Sequence, residues 1–358
     1  MGFEIDLRSD TVTQPCAAMR RAMAEAEVGD DVIDVDPTLQ RLEARAAEIL
    51  GKAAGIFMPS GTMTNQIALR IHCQPGDEFL CESECHIYNY EQGAFAQLSG
   101  LVARTIPGKL GVLQPDQLLD TVRASNDHLV RTRLVCLENT HNRGGGTIQP
   151  IDVIDAICHW AHENDLRTHM DGARLFNAVV ATGITAARWC AGFDSVSICF
   201  SKGLGAPVGS LLAGPADFIQ RARRARKLFG GGMRQAGILA AAALFALENN
   251  QSRMAEDHQN AQALGEAIQE TPGLALTSPT IETNMVIFRV DPSLGTAANF
   301  TAAIGAHGVG ALPFGPQLVR LVTHLDVNAA QVAQAADVIR QVAKASSPRR
   351  PVSDRIVS

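Results

Sequence analysis

Residues 197–214 read Ser-Ile-Cys-Phe-Ser-Lys-Gly-Leu-Gly-Ala-Pro-Val-Gly-Ser-Leu-Leu-Ala-Gly, and this stretch constrains the fold most tightly. An apolar run of strand formers stops at Ser201 and Lys202, breaks over glycines and Pro207, and resumes as a second apolar run. The pattern predicts strand, turn, strand. A lysine between two buried strands either points into water or occupies a partly buried site suited to Schiff-base chemistry. The rest of the chain has to decide between them.

A chain of 358 residues exceeds what one core usually supports, so two domains are expected. With 46% hydrophobic and 19% charged residues the composition is globular. A net charge of −6 argues against a nucleic-acid or membrane-surface partner and favours small-molecule chemistry. Eight cysteines without a CxxC pair read as reduced core residues. Cys81, Cys85 and His86 lack a second ligand pair at zinc-like spacing, so no metal is expected. The N-terminus lacks a signal-like segment and no run is long enough to span a membrane, which predicts a cytoplasmic protein.

The polar opening, residues 6–13, reads as an arm carrying Arg8, Ser9 and Asp10. Asp36-Pro37 supplies an N-cap and first helical position for an amphipathic helix ending near Gly51. A short apolar segment at 54–58 then turns through Pro59-Ser60-Gly61-Thr62 into another helix, whose N-terminal N–H groups suit a phosphate. This is neither a Walker A nor a GxGxxG sequence. His86 follows a strand near 78–81, beside Tyr88 and Tyr90, and reads as a ring-stacking residue, a base or a structural histidine. His128 lies in a polar stretch, and Gly144–Gly146 reads as a loose loop. Asp171 ends a strand, with Arg174 in the turn beyond it. The 31 residues from Asp171 to Lys202 fit one helical crossover, which would place both on the same sheet edge. The basic run at 221–227 reads as a solvated face, and the apolar helix at 237–248 as one buried between layers or subunits.

Together these features match what pyridoxal 5'-phosphate requires: a lysine for an imine, a carboxylate for the pyridine nitrogen, and donors for the phosphate. The expected fold class is α/β, with a large domain over 1–250, a smaller α+β C-terminal domain over 251–345, and a disordered tail at 346–358.

Seven motifs carry a family resemblance: Asp-Leu-Arg-Ser-Asp-Thr-Val-Thr (6–13), Pro-Ser-Gly-Thr (59–62), Leu-Glu-Asn-Thr-His-Asn (137–142), His-Met-Asp-Gly-Ala-Arg (169–174), Ser-Lys-Gly-Leu-Gly-Ala-Pro-Val-Gly-Ser (201–210), Gly-Gly-Gly-Met-Arg-Gln (230–235) and Val-Arg-Leu-Val-Thr-His (319–324). In this order they resemble the low-specificity L-threonine aldolases. The resemblance implies a fold-type-I, aspartate-aminotransferase-like enzyme in which Lys202 is the Schiff-base lysine. It implies Asp171 on the pyridine nitrogen, His86 against the ring, and the Ser60-Gly61-Thr62 turn at the phosphate. Ser9, Arg174 and Arg320 match residues for the substrate carboxylate, and His128 one near the substrate hydroxyl. Lys227 and Arg234 match residues reaching the phosphate from a neighbouring subunit of a homotetramer. The loop at 142–147 departs from the family pattern.

The expected reaction is retro-aldol cleavage of threonine, allo-threonine or related β-hydroxy-α-amino acids to glycine and an aldehyde. His86 or His128 would be the base, and Tyr90 would face the substrate methyl and hydroxyl. Aminotransfer or β-elimination on the same scaffold is the alternative chemistry. A non-catalytic binding protein is a more distant one.

Overall fold

Ile5 and Asp6 form a short strand, β1 (Ile5–Asp6), that pairs in parallel with β11 (Val309–Gly310) near the other end of the chain. A computed structural model describes residues 2–346. It divides into two compact units: Thr13–Asp257, and the described parts of Met1–Val12 and His258–Ser358. The opening arm, read from sequence with the large domain, thus groups with the C-terminal part. The tail expected at 346–358 begins at the last residue of the helix Ala329–Ser346, and its remainder lies outside the described residues.

The larger unit is built on a seven-stranded sheet. Its strands are β2 (Ala54–Met58), β3 (Glu78–Glu82), β4 (Val102–Ile106), β5 (Thr132–Glu138), β6 (Arg167–Gly172), β7 (Ser195–Cys199) and β8 (Ser210–Gly214). Their spatial order is β2-β8-β7-β6-β5-β3-β4. Only β8 runs antiparallel to its neighbours. Every residue of β3, β7 and β8 is buried, so their apolar residues are not confined to one face: Phe79, Leu80 and Cys81 run together in β3, as do Leu211, Leu212 and Ala213 in β8. The strand–turn–strand expectation for 197–214 matches β7 and β8, paired from Val196↔Ala213 to Cys199↔Ser210.

Helix boundaries follow the chemistry of their caps. Asp36, almost fully buried, accepts from Leu39 N at 3.0 Å to start the helix Pro37–Ile49. Its other oxygen accepts from Gly237 N at 2.7 Å, at the start of Gly237–Asn249. One carboxylate therefore caps two helices. A Cβ on Gly237 would lie 2.4 Å from that carboxylate, so a side chain there is excluded.

Three local expectations are corrected. Arg226 is buried, donating to Phe57 O at 2.9 Å and pairing with Asp31, so the basic run is not wholly solvated. Cys16 is exposed while the other seven cysteines are buried, and all eight are unpaired. The glycine loop is not loose: Gly144 N donates to His141 Nδ1 at 3.0 Å, and His141 bridges to Thr147. The buried His141 ring lies 3.0 Å from Glu82 and fills the space where Gly111, at φ +82°, lacks a side chain.

The smaller unit contains β9 (Leu274–Leu276), β10 (Met285–Val290), β12 (Leu312–Pro313) and β13 (Leu318–Val322) in a four-stranded antiparallel sheet. Phe288, Val319 and Leu321 pack there with Ile5, Leu7 and helical Phe300, Ile304 and Ile339. The helix Ala297–Ala306, not legible from the sequence, covers this core.

Candidate active site

Asp171 lies at the carboxyl end of β6, and its register partner on β7 is Ser197. Lys202 stands in the turn just beyond β7. Adjacent parallel strands thus deliver both residues to one edge of the sheet, where α/β folds hold ligands.

Asp171 is buried, receiving Asn65 Nδ2 at 2.8 Å and Ala173 N at 3.1 Å. Burial pushes its carboxyl up, but the charges of His86 and Lys202 and the Asn65 hydrogen bond hold it below the ordinary aspartate range. His86 opens the short helix His86–Asn89, its backbone N donating to Glu138 Oε2 at 2.6 Å. Its Nδ1 lies 2.9 Å from Glu91 Oε1. Burial lowers its basicity, yet the Glu91 hydrogen bond and the charges of Asp171 and Glu91 raise it overall against opposition from Lys202. Ligand atoms of His86, Glu91 and Asp171 lie within 4.8 Å of one another. Asn65 and His86 already pair with these carboxylates.

Ser60 caps the helix Gly61–His72 by accepting from Met63 N at 3.2 Å. Gly61 and Thr62 form its first turn. A Cβ on Gly61 would sit 2.8 Å from Cys199 Sγ, at the end of β7, so the helix start fits against the strand only without a side chain. Arg174 is buried at the N-cap of Leu175–Thr182. Tyr90 is exposed; its ring centroid is 5.5 Å from that of His86, and its hydroxyl accepts from Arg143 at 2.7 Å.

The other expected residues stand on further elements. His128 is exposed in the loop before β5, whereas Glu138, at the far end of β5, registers with Asp171. Within one chain the seven-residue strand separates His128 from the Lys202 edge by about 20 Å. Lys227 and Arg234 are exposed, and Arg234 pairs with Asp30 at 3.0 Å. In the smaller unit, Arg320 is a buried residue of β13 whose guanidinium lies 4.8 Å from the Phe314 ring centroid and donates to Arg8 O at 3.3 Å. Ser9 Oγ accepts from Thr11 N at 3.2 Å.

Sequence reading missed Asn65 and Glu91. Asn65 bridges Asp171 and Glu91, and Glu91 also receives Gln66. Their positions within a helix and beyond a turn carry no local mark of function.

An anionic buried carboxylate, a lysine on the adjacent strand end, an imidazole near both and an open helix N-terminus are the donors and acceptors that pyridoxal phosphate needs. The class they define is a pyridoxal-phosphate enzyme. The Beta-eliminating lyase family pattern matches residues 6–291. The low specificity L-threonine aldolase of Escherichia coli strain K12 is 44% identical over 93% of this chain and 97% of its own. A probable low-specificity L-threonine aldolase of Arabidopsis thaliana is 42% identical over 90% and 93%. The crystal structure of a putative L-allo-threonine aldolase from Listeria monocytogenes matches with a TM-score of 0.79 at 23% identity, covering 96% of each chain, and shows the shared fold. The chain belongs to the Beta-eliminating lyase family, in the group of the low-specificity L-threonine aldolases. It is a lyase of fold type I, and its cofactor is pyridoxal phosphate.

Proposed function

We propose that the protein cleaves L-threonine, L-allo-threonine and related β-hydroxy-α-amino acids to glycine and an aldehyde. The observation that carries this reading is the delivery of Asp171 and Lys202 to one sheet edge by adjacent strands, in a chain 44% identical to a threonine aldolase. Bound pyridoxal phosphate supplies an electron sink for the pair released when a bond to Cα breaks.

The chain's residues select and hold the reactants. Lys202 would hold the cofactor through its side-chain amine. Asp171, held anionic by its neighbours, pairs with the ring nitrogen and keeps it protonated. Gly61 and Thr62 present helix N–H groups to the phosphate. Ser9, Arg174 and Arg320 are assigned to the substrate carboxylate by the motifs in which they stand, fixing which bond at Cα breaks. His86, oriented by Glu91 and close to Asp171, would accept the β-hydroxyl proton directly or through a water.

His128, Lys227 and Arg234 would act from a neighbouring copy. The assembly the resemblance implies is a homotetramer, and exposed Ile33, Leu228 and Ile238 are side chains a subunit contact would cover. Unpaired cysteines support a cytoplasmic setting, where the reaction would supply glycine. No helix among the described residues is long and apolar enough to cross a membrane.

Wild type and Lys202→Ala offered threonine and allo-threonine, with glycine and aldehyde measured, test the reading. Wild type should yield both products and the variant neither. Normal turnover by Lys202→Ala, or α-keto acid without glycine from wild type, overturns it.

A further inference from the structure

Behind Asp171 a buried hydrogen-bonded chain runs across the sheet. Asn65 Nδ2 donates to Asp171 Oδ2 at 2.8 Å and to Glu91 Oε1 at 2.9 Å. Asn65 Oδ1 lies 3.1 Å from His169 Nε2. On the other side of that ring, His169 Nδ1 lies 2.8 Å from Ser195 Oγ, which in turn lies 2.7 Å from His72 Nε2. Asn65, His169 and Ser195 are all buried.

These contacts allow one self-consistent placement of hydrogens. If the Asn65 amide were flipped, its oxygen would face two carboxylates, so its nitrogen must donate to both. Its oxygen is then an acceptor, and His169 must carry its proton on Nε2. Nδ1 of His169 is left as an acceptor, so the single hydroxyl proton of Ser195 points at it. Ser195 Oγ must then accept, and His72 donates from Nε2. Burial holds both histidines neutral, with His169 lowered to about 4 and His72 to about 3, and a neutral ring has the one donor and one acceptor that the chain demands.

We propose that His169 is a positioning residue for the cofactor: it donates to the Asn65 amide that holds Asp171, the carboxylate assigned to the ring nitrogen, and Ser195 and His72 fix its tautomer. This rests on reading Asp171 as the partner of that nitrogen. His169 touches neither substrate nor cofactor in this account. Its effect passes through one amide, whose buried oxygen a hydrophobic residue of similar bulk would leave without a donor.

The test uses the cofactor-loaded protein with His169→Gln, His169→Leu and Asp171→Asn variants. In wild type labelled with ¹⁵N-histidine, NMR should find His169 as the neutral Nε2–H tautomer from pH 6 to 8. His169→Leu should weaken cofactor binding by about ten-fold and move the pH at which the visible band of the lysine-bound cofactor changes. His169→Gln, which can donate to Asn65 from its amide, should restore both. An Nδ1–H tautomer in wild type, or a Leu variant within two-fold of wild type in affinity with an unmoved band transition, overturns the proposal. Should the Leu variant not fold, the wild-type tautomer decides. Unchanged affinity and spectrum in Asp171→Asn would instead overturn the assignment of Asp171.

Discussion

His86 Nδ1 lies 2.9 Å from Glu91 Oε1, and that carboxylate is nearly fully buried while the imidazole is partly open. The buried charge raises the affinity of His86 for a proton despite the cost of its own burial. A histidine with a raised folded pKa contributes stability that is fully present below the ordinary value of 6.5 and is lost as pH rises through the folded value. Glu91→Gln should therefore lower the His86 titration and shrink the stability difference between pH 6 and pH 8. NMR titration of the ring checks this, and a value that stays or rises contradicts the coupling.

The buried His169 and the half-buried His72 behind Asp171 carry the opposite sign. In the unfolded chain they protonate near 6.5, while in the fold His169 waits until about 4 and His72 until about 3. Their contribution is complete above pH 6.5 and drains away as the pH falls towards 4. For His169 this is on the order of 3 kcal/mol. Urea unfolding across that range should show the loss, and His169→Gln should make it shallower.

Asp36→Ala removes one carboxylate from two helix starts. The expected cost is roughly 2–4 kcal/mol, since both bonds are buried and charge-assisted. Asp36→Asn keeps an acceptor for only one start and should fall between wild type and Ala. Chemical denaturation of the three proteins ranks them.

Gly61→Ala would place a methyl 2.8 Å from Cys199 Sγ, beneath the helix start assigned to the phosphate. Overpacking of this kind costs about 1–3 kcal/mol, so cofactor affinity should fall by about ten-fold. Adding Cys199→Ala makes room and should recover most of the loss. Equal defects in the single and double variants would exclude the steric account.

Ile33 is 80% exposed and Leu228 65%. The backbone of Asp31 donates to Arg234 O, so the loop carrying Ile33 adjoins the segment after Leu228. Ile33→Asp with Leu228→Asp should reduce the assembly mass measured by light scattering while leaving the circular dichroism unchanged. An unchanged mass would contradict a subunit contact at this patch.

The strand ends that carry the assigned site residues were legible because each combines a strand run with a breaker. Lys202, Asp171 and the Ser60-Gly61 turn stand where apolar residues give way to glycine, serine or charge. Asn65 and Glu91 were not legible, because a polar residue within a helix or just past a turn looks the same whether it faces water or a buried polar group. Arg226 misled for the same reason: its neighbours Arg223 and Arg224 are exposed, and only the turn of the helix carries it inward to Phe57 O. The loop at 142–147 looked slack from its glycines. Yet the carbonyl of Leu110 would lie 2.1 Å from a Cβ at Gly144, so that glycine serves close packing and not mobility. The short strands β1 and β11 carry too few residues to show any period.

The pairing of Ile5 with Val309 has a consequence for synthesis. During translation the first residues emerge long before their partners exist, and contacts so distant along the chain close late and at high entropic cost. A ribosome-bound chain ending before residue 309 holds every strand of the seven-stranded sheet but lacks β11, the strand with which the segment leading to Ser9 pairs. The arm assigned to the substrate carboxylate is thus among the last parts to settle, and early release of the chain would yield a cofactor-binding body without it.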